Sequence, residues 1–225
     1  MFHHPQRNRT APNGTARPVR TDTGGDAMWF PPWGTAMGVP PTAPIARGRA
    51  PTLTPLLIVF AGRPGTGKST LARAVASRRE AVWFRVDTAE AAMLKAGLPR
   101  SAETGLAAYL VVRDLAAEEL RLGRNVVVDA VNGVEEARAM WRDLATDCGA
   151  RRCVVEVVCS DTEEHRRRVE SRGPPTPPLP RPTWEEVRER EYLAWNEPVL
   201  TVDTVAPVDE VLRRILSHLA PRGRG

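Results

Sequence analysis

The chain has 225 residues, a net charge of +5, 42% hydrophobic residues and 26% charged residues. These values are typical of a soluble globular protein and exclude a fibrous or wholly disordered chain. No uninterrupted apolar run approaches the roughly 18 residues that a membrane-spanning helix requires. We therefore expect a cytoplasmic protein, a monomer or a dimer, built from one ordinary domain and an extension.

The composition changes near residue 52. Residues 1–52 hold nine of the 21 prolines, six arginines and only two aspartates, and they show no hydrophobic period. We predict a disordered extension there and a folded domain over residues 53–225. The extension carries most of the positive charge and leaves a net charge of about +1 on the domain. A nearly neutral domain attracts DNA or RNA weakly, which disfavours a nucleic-acid partner.

Strand-sized apolar runs alternate with helical segments from Leu56 onward. The predicted strands are Leu56–Ala61, Ala81–Asp87, Val126–Asp129, Cys153–Cys159 and Val199–Asp203. The predicted helices are Ser69–Arg79, Thr88–Ala96, Glu103–Leu122, Val134–Cys148, Thr162–Arg172, Trp184–Ala194 and Val208–Leu219. Six prolines between residues 173 and 182 exclude a helix there and predict an extended loop. This alternation predicts an α/β domain with a parallel sheet that helices cover on both faces.

The turn between the first predicted strand and the first predicted helix carries a phosphate-binding motif. It consists of Gly62, Arg63, Pro64, Gly65, Thr66, Gly67, Lys68 and Ser69, with Thr70 next, and it matches G-x-x-x-x-G-K-[ST]. Glycines let backbone N–H groups point at phosphate oxygens, and the following helix directs its N-terminus at the same anion. Lys68 reaches the β- and γ-phosphates, and the Ser69 hydroxyl is a ligand for Mg²⁺. The motif therefore predicts binding of ATP and Mg²⁺.

Two aspartates, Asp87 and Asp129, end the second and third predicted strands. Ligands of open parallel sheets lie beyond the carboxyl ends of the strands, so both side chains should face the phosphate loop. One carboxylate would take the proton from an acceptor hydroxyl, and the other would orient Mg²⁺ or its water shell. The residues alone leave open which aspartate has which role. The alternative is that each merely caps the next helix.

A charged helix and the proline-rich loop after it, about residues 161–182, are predicted to form a lid. Arg168 and Arg172 are four residues apart and so share one face of the helix. Phosphoryl transfer requires cations near the transferring group, a role that suits these two arginines. The alternative is a solvated helix with Glu–Arg pairs, Glu164 with Arg168 among them. His165, alone on this charged helix, is expected to be solvated.

Together these features resemble the small P-loop kinases grouped with polynucleotide kinase, chloramphenicol phosphotransferase and the zeta toxins. They resemble more closely the bacterial predicted kinases that carry the label AAA family ATPase. The resemblance rests on Gly62–Thr70, Val86–Thr88, Val128–Asn132 and Asp161–Arg172, and it covers about residues 56–219. It implies a P-loop NTPase fold with a five-stranded parallel sheet in the order 2-3-1-4-5. It also implies that Asp87 is the general base and that Arg168 and Arg172 are the lid arginines.

We therefore predict an ATP-dependent kinase that transfers the γ-phosphate to a hydroxyl of a small-molecule acceptor. The predicted catalytic residues are Lys68, Asp87, Arg168 and Arg172, and the predicted Mg²⁺ residues are Ser69 and Asp129. One alternative is a P-loop ATPase that acts as a nucleotide-dependent switch on a protein partner. Another is a kinase of polynucleotide 5′-hydroxyl groups, which is disfavoured because Thr88, rather than a basic residue, follows Asp87.

Overall fold

The computed structural model describes residues 54–171, 179 and 181–220. The strands are β1 (Leu56–Ala61), β2 (Val82–Arg85), β3 (Val126–Asp129), β4 (Arg151–Val158) and β5 (Leu200–Asp203). The helices are α1 (Lys68–Arg78), α2 (Val86–Lys95), α3 (Ala102–Arg121), α4 (Glu135–Asp147), α5 (Thr162–Glu170), α6 (Trp184–Glu189) and α7 (Val208–Leu219). The predicted extension, Arg172 and most of the predicted proline-rich loop lie outside the described residues.

The five strands form one parallel sheet in the order β2-β3-β1-β4-β5, which confirms the predicted fold. β1 is the central strand, and all six of its residues are buried. A parallel strand covered on both faces must be apolar at every position, which explains the continuous sequence Leu-Leu-Ile-Val-Phe-Ala. The sheet therefore holds the phosphate loop, which follows β1, at the middle of its carboxyl edge.

Two hydrophobic cores lie on opposite faces of this sheet. Side chains of a strand alternate between faces, so Ile58 and Phe60 enter one core while Leu57 and Val59 enter the other. The first core includes residues of α1 and α7, namely Leu71, Val75, Leu212, Ile215 and Leu219. The second includes residues of α3 and α4, namely Val112, Leu120, Trp141 and Leu144. Helices thus cover both faces, as predicted.

Two predicted boundaries are wrong in ways that affect the site. β2 ends at Arg85 and α2 begins at Val86, so Asp87 lies in the first turn of a helix and not at the end of a strand. An acidic side chain is favourable there because it faces the positive end of the helix dipole. α6 ends at Glu189 and does not continue to Ala194. Side chains from other elements donate hydrogen bonds to the backbone carbonyls of this segment, as described below.

The start of α6 was predicted correctly. The hydroxyl of Thr183 accepts a hydrogen bond from the backbone N–H of Glu186, and the Glu186 carboxylate accepts one from the N–H of Thr183. This capping box satisfies two N–H groups that the helix leaves unpaired at its start. Within the described part of the chain, no helix is long and apolar enough to cross a membrane.

Candidate active site

The phosphate loop joins β1 to α1, and three of its glycines have a positive φ. The values are 145° at Gly62, 91° at Gly65 and 87° at Gly67. A Cβ atom on Gly62 would lie 2.3 Å from the carbonyl oxygen of Val157, and one on Gly65 would lie 2.5 Å from Cγ2 of Val169. Only glycine fits both the backbone conformation and the space at these two positions. The spacing of the motif is therefore a steric requirement of this loop.

Hydrogen bonds fix the loop from inside and from the neighbouring strand. The Thr66 hydroxyl donates to the carbonyl of Arg63 at 2.9 Å. The N–H of Gly62 donates to the carbonyl of Val131, just beyond β3, at 3.1 Å. Lys68 is the first residue of α1 and is buried, and its charge acts on the carboxylate of Asp129. This combination of helix N-terminus, glycine-rich backbone and lysine is suited to bind phosphate.

Asp129 ends β3 and is aligned in the sheet with Phe60 of β1. It is only 3% exposed, and neither carboxylate oxygen accepts a hydrogen bond of normal geometry from a described residue. Burial raises the pKa of this carboxyl group, and the nearby Lys68 ammonium and Ser69 hydroxyl partly oppose the shift. A buried carboxylate of this kind is able to bind a cation.

The residues that surround Asp129 fit a Mg²⁺ ion. Mg²⁺ prefers oxygen ligands and retains several waters, so it needs only one or two protein groups besides the phosphates. The Asp129 carboxylate and the Ser69 hydroxyl supply such groups. Among the described residues there is no cluster of three or more histidine, cysteine, aspartate or glutamate residues able to hold a metal. The donor set therefore suits a metal that binds mainly through the nucleotide.

Arg85, the last residue of β2, was not predicted to belong to the site. Its Nε atom lies 3.5 Å from Asp129 and its Nη2 atom lies 3.9 Å from Asp87, so its guanidinium group stands between the two carboxylates. Arg85 is paired with Asp129 in the sheet register, which explains the contact. In the sequence, the only hint of this role was the position of Arg85 two residues before Asp87. The strand order is what makes Arg85 a neighbour of Asp129.

Asp87 differs from Asp129 in its environment. Its side chain is 53% exposed, whereas that of Asp129 is 2% exposed. The exposed carboxylate stands at the start of α2, where solvent or an acceptor can reach it. The two predicted carboxylates are thus brought to the same edge of the sheet, linked by Arg85.

Arg168 of α5 is held beside the phosphate loop through Thr204. Its Nη1 donates to the Thr204 hydroxyl at 2.8 Å, and its Nη2 donates to the Thr204 carbonyl at 3.0 Å. The Thr204 hydroxyl lies 2.9 Å from the carbonyl oxygen of Thr66 in the loop. Arg168 also forms the ion pair with Glu164 that the sequence suggested, at 2.6 Å. Its predicted partner Arg172 lies outside the described residues.

Two further contacts join the phosphate loop to α5, which is part of the predicted lid, and to α6, which follows it. The expectation that His165 is solvated is wrong. It is buried, its Nε2 donates to the carbonyl of Pro64 at 2.8 Å, and its ring meets the edge of Trp184 at 5.1 Å. Arg63 donates through Nη1 to the carbonyls of Val187 and Arg190, each at 2.6 Å, at the C-terminal end of α6. We call these contacts of Arg63 and His165 the lid latch.

The structure brings most of the predicted site residues together. The loop from Gly62 to Ser69, Asp87, Asp129 and Arg168 all lie at the carboxyl edge of the sheet. Thr70, which was predicted to bind the nucleotide, lies in the first turn of α1, and its N–H donates to the carbonyl of Gly67. Thr70 is exposed, so the structure adds no contact for its side chain.

A family model described as an AAA domain matches residues 57–193. Among solved structures, a candidate kinase from Chloroflexus aurantiacus J-10-fl is 25% identical, with 75% of this chain and 97% of that chain covered and a TM-score of 0.59. No protein of curated function matches the sequence.

Two further solved structures share the fold at lower identity. The APS kinase of Mycobacterium tuberculosis, in complex with AMPPNP and APS, is 20% identical, with 74% of this chain and 97% of that chain covered and a TM-score of 0.59. A gluconokinase from Sinorhizobium meliloti 1021 is 18% identical, with 73% and 91% covered and a TM-score of 0.56. The predicted P-loop kinase fold is confirmed by these similarities.

Proposed function

This chain belongs to the AAA-domain family of P-loop proteins, and from that premise we propose that it is an ATP-dependent kinase whose acceptor is a hydroxyl group of a small molecule. The observation that carries the proposal is the pairing of a phosphate loop with two unlike carboxylates. Buried Lys68 and buried Asp129 lie at the phosphate side, and exposed Asp87 lies where an acceptor can approach. A phosphotransferase requires these separate nucleotide and acceptor functions.

The nucleotide side consists of the loop and the start of α1. Backbone N–H groups from Gly65 to Ser69 and the Lys68 ammonium bind the β- and γ-phosphates. Ser69 and Asp129 hold Mg²⁺, which when bound neutralises negative charge on the phosphate oxygens. Because Lys68 and Asp129 are buried, little water screens their electrostatic interactions with the phosphates and the metal ion, and these interactions are stronger as a result.

The acceptor side depends on Asp87. Its carboxylate takes the proton of the acceptor hydroxyl while the hydroxyl oxygen forms a bond to the γ-phosphorus. The bond from that phosphorus to the β–γ bridging oxygen breaks, and the products are the phosphorylated acceptor and ADP. The positive charge of Arg85 lies between Asp87 and Asp129 and favours an orientation of the base toward the nucleotide. Arg85 is a positioning residue in this scheme.

The lid arginines act on the developing charge of the phosphoryl group. Arg168 donates to Thr204 and Glu164 and lies close to the loop through Thr204. A direct contact between Arg168 and the γ-phosphate therefore requires some of these bonds to break when the nucleotide binds. Arg172 retains its predicted role as the second lid arginine.

The variant Asp87→Asn tests the proposal. It keeps the shape of the side chain but removes the base, so we expect phosphate transfer to fall about 10²- to 10⁴-fold while ATP affinity changes little. The measurement is mass spectrometry of pooled alcohols, sugars and nucleosides incubated with the protein, ATP and Mg²⁺. Asp114→Asn is the control, because Asp114 is an exposed carboxylate of α3 whose ion pair among the described residues is with neighbouring Arg113. Equal transfer by Asp87→Asn and the wild type would contradict the role of Asp87.

A further inference from the structure

A cavity of about 410 Å³ lies between α3, α4 and the chain after α6. Its lining is mainly apolar, with Leu106 and Tyr109 from α3, Val131 and Val134 from the loop between β3 and α4, and Met140 from α4. A cavity of this size is within the range of small-molecule sites. The apolar lining indicates a ligand that buries hydrocarbon or aromatic surface.

The cavity adjoins the phosphate loop. Val131, which lines it, accepts the hydrogen bond from Gly62 at the start of the phosphate loop. The Tyr109 hydroxyl accepts a hydrogen bond from the N–H of Asn132 at 3.3 Å. Burial raises the pKa of Tyr109 to about 12, and the charge of Asp87 adds to the rise, which places the proposed base within electrostatic reach of the cavity wall. A molecule in the cavity therefore lies beside the start of the phosphate loop.

The cavity is closed on one side by a close approach of the chain after α6. A Cβ atom on Gly133 would lie 2.7 Å from the carbonyl oxygen of Glu191 and 3.4 Å from Cδ2 of Tyr192. Gly133 is therefore required for this segment to reach the loop after β3. The N–H of Leu193 donates to the carbonyl of Gly133 at 2.9 Å and fixes the approach.

The charges around the cavity are unbalanced. Among the described residues, the charged side chains that line it are one arginine and two carboxylates, namely Arg190, Glu136 and Glu191. This excess of negative charge repels an anionic ligand, whereas an uncharged ligand is not repelled.

We propose that this cavity is the acceptor site and that the acceptor is an uncharged alcohol with a predominantly apolar body. The inference rests on the proposed kinase function. The hydroxyl group lies toward Asp87 and the phosphate loop, and the apolar body packs against Leu106, Val134 and Met140. The apolar lining and the carboxylate surplus both disfavour acceptors that carry carboxylate, phosphate or sulfate groups.

A pair of matched alcohols tests the proposal. Cuminyl alcohol and para-(hydroxymethyl)benzoate share a hydroxymethyl group and a ring, but the first carries an isopropyl group where the second carries a carboxylate. We expect kcat/KM for phosphate transfer from ATP to be at least about tenfold higher for cuminyl alcohol. The product would be detected by mass spectrometry, with gluconate as a polar, anionic acceptor in the same assay.

The variant Leu106→Arg tests the location. Leu106 is 55% exposed at the cavity, so a charged side chain is tolerated there and adds a cation beside the ligand. We expect the preference for cuminyl alcohol to fall about tenfold, because the new charge attracts the carboxylate. Leu122→Arg is the matched control, since Leu122 is 65% exposed just after the end of α3 and does not line the cavity. It should leave the preference unchanged.

The outcomes separate this inference from the proposed function. Transfer to gluconate or to the benzoate, with little or none to cuminyl alcohol, would overturn the acceptor class and leave the kinase function supported. An unchanged preference in Leu106→Arg would overturn the assignment of the cavity. ATP binding without transfer to any alcohol would overturn the proposed function and the acceptor class together.

Discussion

Asp129 and Asp87 illustrate how two residues of one type acquire different chemistry from their surroundings. Asp129 lies in the sheet between packed helices, and its oxygens lack hydrogen bonds of normal geometry. Asp87 lies one residue into α2 and is largely exposed. A buried carboxylate is stabilised when a cation binds, and an exposed carboxylate is free to accept a proton. The proposed roles follow from this difference.

The variant Asp129→Asn should therefore have opposite effects on stability and on function. Removal of a buried charge should stabilise the metal-free protein by about 1 kcal/mol or more, which corresponds to roughly 2–4 °C in Tm for a chain of this size. The same change should raise the Mg²⁺ concentration needed for half-maximal activity about 10- to 100-fold. Thermal unfolding in a chelating buffer and Mg²⁺ titrations of activity measure the two effects.

The stability difference should depend on pH. Because burial raises the pKa of Asp129 in the folded state above its usual value, the folded protein holds this proton more tightly than the unfolded chain. The free energy of unfolding of the metal-free wild type should then fall as pH rises from about 4 through the raised pKa, and it should level off above it. The neutral side chain in Asp129→Asn lacks this dependence. A constant difference between the two proteins from pH 4 to pH 8 would contradict the argument.

The lid latch connects short elements that could not hold their positions alone. α6 has six residues, too few for an isolated helix to be stable in water. The Arg63 guanidinium satisfies carbonyls at its C-terminal end, and the helix in turn places Trp184 against His165. Arg63 also lies 5.5 Å from the centre of the Tyr192 ring. The positions of α5 and α6 are thus coupled to the phosphate loop.

Arg63→Ala should release α6 while the fold remains intact. Charge-assisted hydrogen bonds contribute about 1.5–3 kcal/mol each, so we expect amide hydrogen exchange over residues 184–190 to accelerate about 10- to 100-fold. The core strand β1 should exchange as in the wild type. Arg188→Ala is the control, since Arg188 is exposed and its ion-pair distance to Glu189 is 3.8 Å. Equal acceleration in both variants would show that α6 does not depend on the latch.

The start of α6 could be predicted from the sequence, but its end could not. Caps are local signals, so Thr183 and Glu186 could be identified from their spacing alone. The end of α6 depends on Arg63, which is more than 120 residues away in the chain. A period of apolar residues continued toward Ala194, but tertiary hydrogen bonds outweighed that local preference. His165 was misjudged for the same reason, because its partner Pro64 is distant in sequence.

At the scale of the whole domain, the sheet order determines which local motifs become one site. The phosphate loop could be identified from sequence because its chemistry is contained in eight consecutive residues. The neighbourhood of Arg85, Asp87 and Asp129 depends on the pairing of β2 with β3, which only the family resemblance supplied. The cavity could not be predicted from any one segment of the sequence, because α3, α4 and the chain after α6 each contribute part of its wall.

The segment after α6 is held to the domain by a buried arginine that the sequence analysis did not identify. Arg138 of α4 is 1% exposed, and its guanidinium lies 3.9 Å from the centre of the Trp195 ring. It donates to the carbonyls of Asn132, Leu193 and Ala194 at 2.6–3.0 Å. Arginine is rarely buried so completely. Its role becomes visible only in the folded domain.

Because Arg138 joins α4, the loop after β3 and the segment after α6, its loss should weaken the domain as a whole. Arg138→Met keeps much of the side-chain volume but leaves several buried carbonyls without donors, so we expect the free energy of unfolding to fall by about 3–5 kcal/mol. Urea unfolding measures this change. Arg142→Met, one turn further along α4, removes partly exposed ion pairs with Glu135 and Glu197 and should cost less than about 1 kcal/mol. If both variants lost the same stability, the hydrogen bonds of Arg138 would contribute no more than a surface ion pair. Arg138 would then not explain why the segment after α6 is held against the cavity.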